Sequence, residues 1–165
     1  MSAIADFRII KTNKLDGLKN ASEIIIKKGF FKKTVIDEYW NFLDKNSKKL
    51  SEFNKSGYIF GDLLIFLLEN KGIDFLSSEY DNYANWISKN RKNSIIIFTY
   101  KHKIEYLDKL NLTSFTEKEL IEFNKEFSED NSTNLATSEL EGIKKITECL
   151  EELKNDNEVV LLNVG

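Results

Sequence analysis

Apolar positions change their spacing several times along the chain, and each change marks an element. From Ala3 to Lys11 the apolar residues Ile4, Phe7, Ile9 and Ile10 are interleaved with polar ones, which predicts a strand; helix propensity rises from Lys14. Thr34 followed by Asp37 has the form of a helix cap. Val35, Ile36, Tyr39, Trp40 and Leu43 then fall on one helical face, predicting an amphipathic helix. Tyr58 to Asn70, "YIFGDLLIFLLEN", is apolar nearly all round and runs into Lys71-Gly72, where glycine can take the left-handed conformation that closes a helix. A buried central helix is expected there. Asp81 caps a shorter helix through Asn90, with Tyr83, Ala84 and Ile87 inward.

Ser94 to Lys101 carries three consecutive isoleucines and Phe98, enough to make both faces of a strand apolar and to predict a central place in a sheet. Thr116 with Glu119 predicts a capping box, and Phe115 with Leu120 a hydrophobic staple, at the start of the next helix. The last helix is expected from Leu135 to Asn155. Its inward face would be Ala136, Leu140, Ile143, Ile146, Leu150 and Leu153, and its outer face Glu139, Glu141, Glu148, Glu151 and Glu152. Val159 to Val164 closes the pattern as a strand. With strands near 3–11, 94–101 and 158–164 and five or six helices between them, the expected fold is an α+β domain spanning residues 1–165.

Composition narrows the class of protein. A chain of 165 residues, 41% hydrophobic and 12% aromatic, can bury a core without help from a disulfide or a metal. A lone cysteine, Cys149, forms no internal disulfide, and a reducing cytoplasm is the expected setting. Asp6 and Arg8 interrupt the apolar stretch of "MSAIADFRIIKTNK", where an export signal needs an unbroken one. The strongest apolar run, Leu63 to Leu68, is far short of the ~20 residues that span a bilayer.

Charge is unevenly spread. Residues 1–60 hold 12 basic against 7 acidic side chains, residues 61–103 hold 6 against 5, and residues 104–165 hold 6 against 15. A mildly basic front and a strongly acidic last third point to a charged partner, while solvated outer helix faces give the same asymmetry with no partner at all.

Candidate chemistry is sparse. One histidine and one cysteine exclude a two-histidine metal site and a zinc knuckle. Cys149 sits among Glu148, Glu151 and Glu152, which disfavour a thiolate, so it reads as a small packing residue. His102 and Tyr100 would share a strand face by the period of two, at the carboxyl end where ligands often bind; Lys101 and Lys103 instead suggest a strand running out into water. Asp62 followed by Glu69-Asn70-Lys71 imitates the acidic and Glu-x-Lys pattern of a metal-dependent nuclease, yet that chemistry wants a strand end and this run closes as a helix. Gly57-x-x-x-Gly61 reads as close backbone packing. No phosphate-binding glycine motif and no basic stripe with aromatics supports a nucleotide or nucleic-acid ligand, and no cofactor is implied.

The acidic helices remain as a candidate surface. Glu117, Glu122 and Glu126 on one helix, with Glu141, Glu148, Glu151 and Glu152 on the next, would steer a basic partner. In layout, "MSAIADFRIIKTNKLDGL", "SIIIFTYKHKIEYLDKLN" and "LEELKNDNEVVLLNVG" resemble a bacterial domain family of unknown function, and the whole is similar to small cytoplasmic immunity proteins that neutralise a toxin by binding it. That resemblance implies an α+β fold and assigns no functional residues. The sequence thus favours a non-enzymatic module that binds another protein, neither nucleic acid nor membrane. A small enzyme using Asp62, Glu69 and Lys71, or His102 and Tyr100, is the alternative. A structural subunit with Trp40, Trp86 or Phe115 on an apolar patch is a third reading.

Overall fold

A computed structural model describes residues 3–28 and 32–165. The fold is α+β, with a four-stranded antiparallel sheet ordered β4-β1-β6-β5 and a separate two-stranded sheet, β2-β3. β1 (Ala5–Lys11) and β6 (Glu158–Val164) are its middle strands. β4 (Ser47–Phe53) and β5 (Ser94–Thr99) are the edges. Seven α-helices are present among the described residues: α1 (Leu15–Ala21), α2 (Tyr39–Asn46), α3 (Ile59–Lys71), α4 (Asp81–Arg91), α5 (Tyr100–Tyr106), α6 (Glu117–Phe127) and α7 (Thr133–Glu151).

Both faces of the main sheet are covered. On one side Phe7, Phe98, Val160 and Leu162 pack with Phe60 and Leu63 of α3 and Ile143 and Ile146 of α7. On the other, Ile10, Ile95, Ile97, Val159 and Leu161 pack with Leu18 of α1, Leu43 of α2 and Ile87 of α4. This explains why Val159 to Val164 is buried at every position although an antiparallel strand often keeps one wet face. α7 approaches α3 closely at Gly142, where an added Cβ would lie 2.9 Å from Ile59 Cδ1 and Leu63 Cδ2.

Several expected elements hold. α3 ends at Gly72 with φ of 62°, the left-handed closure expected of that glycine. Thr116 and Glu119 form the capping box of α6, with Phe115 and Leu120 both buried. α4 turns Ala84 and Ile87 inward.

Other expectations are corrected. β5 is an edge strand, next to β6 alone in the sheet order; its apolar faces are covered by helices on either side, and burial of both faces does not require strand neighbours on both edges. The strand stops at Thr99, whose Oγ1 accepts from the His102 backbone N–H (3.2 Å) and so opens α5. Thr34 does not cap a helix: Lys33–Ile36 is strand β3, and α2 starts at Tyr39, whose N–H donates to Asp37 Oδ1 (3.2 Å). α7 ends at Glu151, short of Asn155.

Candidate functional site

His102 lies inside the fold. It is only 4% exposed, third residue of α5, with Phe75 edge-on to its ring and Tyr106 stacked against it. Its Nδ1 accepts from the Thr99 N–H (3.3 Å) and its Nε2 lies 2.9 Å from the Ser77 carbonyl oxygen. That arrangement requires the neutral tautomer with the proton on Nε2. Burial also lowers the pKa below the usual 6.5, outweighing the Ser77 carbonyl, Asp74, Glu79 and Glu105. The ring joins the Ser77 loop to the start of α5, and neither nitrogen is free to take a substrate proton. Tyr100 opens α5 beside it and does not share a strand face with it.

The remaining reactive groups are similarly engaged. Cys149 is 2% exposed, and burial pushes its thiol up to about 11. Asp62 and Glu69 stand in the first and last turns of α3, about 10 Å apart along the axis. Lys71 Nζ donates to Glu119 Oε2 (2.9 Å) and to the Ser114 carbonyl (3.1 Å), tying α3 to α6. The three do not converge, and no group of three or more His, Cys, Asp or Glu with metal-binding geometry occurs among the described residues. Gly57 packs closely against Ala5 as expected, since an added Cβ would lie 3.0 Å from the Ala5 backbone nitrogen, while Gly61 faces open space.

The acidic helices are less negative than their residue count. Glu141 pairs with Lys55 (2.8 Å), Glu148 with Lys145 (2.8 Å) and Glu152 with Lys48 (3.2 Å), so lysines from β4, its following loop and α7 itself neutralise much of that face. Glu122 faces Lys118 at 3.8 Å, and Glu117 accepts from Thr137 Oγ1 at 2.9 Å. Glu126 and Glu151 are exposed with no cation partner among the described residues. Because these ion pairs are largely solvent-exposed, replacing Glu141, Glu148 and Glu152 by glutamine should lower stability by no more than about 1 kcal/mol per pair, as read by urea unfolding.

Glu139 is a sharper correction. Expected on the outer face of α7, it is fully buried against α6, where Asn124 Nδ2 donates to its Oε2 (2.7 Å). Glu139 Oε1 and Asn124 Oδ1 have no partner among the described residues. Two acceptors facing a donor deficit are relieved by one proton on the carboxyl, and burial, with Asp62 and Asp130 nearby, raises that pKa from 4.5 to about 7 despite the Asn124 bond.

The hydrophobic pattern does not predict one exposed feature of the fold. β2 (Ile25–Lys28) and β3 (Lys33–Ile36) form a hairpin that pairs with no other strand among the described residues. Ile24, Ile25, Ile26 and Val35 are 46, 49, 50 and 58% exposed. Lys27, Lys28, Lys32 and Lys33 are exposed and make no ion pair among the described residues. Trp40, just beyond the hairpin, is 46% exposed, and Trp86 is covered on one side by Lys19 Nζ at 4.8 Å; Phe115 is buried, not on a patch. No helix among the described residues is long and apolar enough to cross a membrane. No family model matches the chain, and no curated protein or solved structure is significantly similar to it.

Proposed function

We propose that the chain is a non-enzymatic module that binds another protein, an immunity or inhibitor protein of the cytoplasmic kind its layout resembles. The observation that carries this reading is the β2–β3 hairpin, which presents half-exposed isoleucines and valine beside four exposed lysines that make no ion pair among the described residues. Exposed apolar side chains grouped beside charge mark a surface where a partner sits. The state of the reactive groups supports it: the ring nitrogens of His102, the Cys149 thiol and the Lys71 ammonium are each held by backbone, burial or an ion pair.

The proposed working surface is the hairpin and not the acidic helices, since the chain's own lysines match much of the acidic face. Affinity capture from the native host, followed by remixing of the purified chain with the protein that co-elutes, tests it. A stoichiometric complex that survives gel filtration and blocks the partner's activity is expected. Retention of a small-molecule substrate that the chain turns over, with no protein complex, would contradict it.

A further inference from the structure

We infer that the β2–β3 hairpin takes an extended segment of its protein partner as a third strand, apolar along one half and acidic along the other. This rests on the reading of the chain as a protein-binding module. Register places Ile25 opposite Ile36, Ile26 opposite Val35, Lys27 opposite Thr34 and Lys28 opposite Lys33. Alternation along a strand then puts Ile26, Val35, Lys28 and Lys33 on one face, and Ile25, Ile36, Lys27 and Thr34 on the other. Both faces are therefore apolar toward the helices and basic toward the far end.

Three features of the hairpin ask for such a strand. A two-stranded ribbon is marginal in water without a third strand or a packed face, and every residue of β2 is exposed. Lys28 directly opposite Lys33 is a like-charge pair, unfavourable by itself and relieved by a neighbouring carboxylate. Both outer edges carry backbone donors and acceptors that pair with no strand among the described residues. Antiparallel self-association through the same edge would set Lys27 and Lys28 of each copy against Ile26 and Ile25 of the other and supply them with no counter-charge, and a lipid surface offers no strand to the edge amides.

The required ligand has β-branched residues level with Ile25 and Ile26 and acidic residues level with Lys27 and Lys28. A blocked peptide Thr-Val-Ile-Val-Glu-Glu-Thr serves as the probe, with a counterpart carrying lysines for the glutamates, each titrated into the isotope-labelled protein. Chemical-shift changes confined to residues 24–28 and 32–36 are expected with the acidic peptide, and its binding should weaken roughly tenfold or more when Lys27, Lys28, Lys32 and Lys33 are replaced by glutamate. The lysine peptide should bind that charge-reversed protein and not the wild type, which keeps the comparison decisive however the variant's stability shifts. Equal binding of both peptides, binding of neither, or perturbation of residues 24–28 and 32–36 by phosphatidylserine vesicles or by dimerisation instead, would overturn the strand-addition inference. If the peptides fail while a captured partner still binds, the third strand falls and the binding module stands; if the peptides bind and no partner is captured, the reverse holds.

Discussion

Glu139→Gln will stabilise the protein at pH 8 relative to pH 5: the stability difference between variant and wild type should grow by about 2.5 kcal/mol over that interval, read by urea unfolding at each pH. The wild-type carboxyl titrates at about 7 when folded against 4.5 when unfolded. Between those values the folded state binds the extra proton, so the stability Glu139 contributes is full below pH 4.5 and is lost as pH rises through 7. Above pH 7 a buried carboxylate faces Asn124 with one oxygen unpartnered and with Asp62 and Asp130 adding like charge. Glutamine cannot ionise and brings the second donor that the pair lacks. A variant whose stability falls with pH as steeply as the wild type's would show that the carboxyl is not held neutral.

His102→Ala should lose about 3 kcal/mol at pH 7.5, with His102→Gln losing less. Alanine leaves the Ser77 carbonyl and Thr99 N–H without their partner and a void beside Phe75 and Tyr106. Glutamine at the third position of a helix reaches back to the capping N–H and restores part of the box. The pH signature has the opposite sign to that of Glu139. His102 is held neutral, so its contribution is present above its ordinary pKa of 6.5 and is lost as pH falls below it. Partner affinity of the folded variant should be unchanged, because the ring points into the protein. A variant of full stability would show that the ring does not pin the Ser77 loop.

How far the sequence could be read depended on which force decided each element. α3, α6 and β6 were legible because periodicity, caps and Gly72 all agreed, and local signals settle such elements. The end of β5 was misplaced because "TYKHK" is a polar run that suits a strand leaving the core, whereas Thr99 and His102 form a capping box from a residue pair outside the usual Ser/Thr with Glu/Gln signature. The edge position of β5 depends on where residues 158–164 pair, which no local pattern contains.

The hairpin left a signal that the helical spacing of Val35, Ile36, Tyr39 and Leu43 overrode. Ile24 to Ile26 and Thr34 to Ile36 are β-branched runs flanking a short stretch with Gly29, the composition of a hairpin. Glu139 gave no such signal. A glutamate among other helix glutamates looks solvated, and only the packing of α6 on α7 brings Asn124 to it. For the acidic surface, net charge counted residues without showing that Lys48 and Lys55 would fold beside Glu152 and Glu141.

Amide hydrogen exchange of the chain, free and bound to its captured partner, tests the central claim most directly. Binding at the hairpin predicts slowed exchange within residues 24–28 and 32–36, with the outer faces of α6 and α7 unchanged. Protection that appears instead around Glu117, Glu126 and Glu151, with the hairpin amides exchanging as freely as before, would contradict the account and return the working surface to the acidic helices.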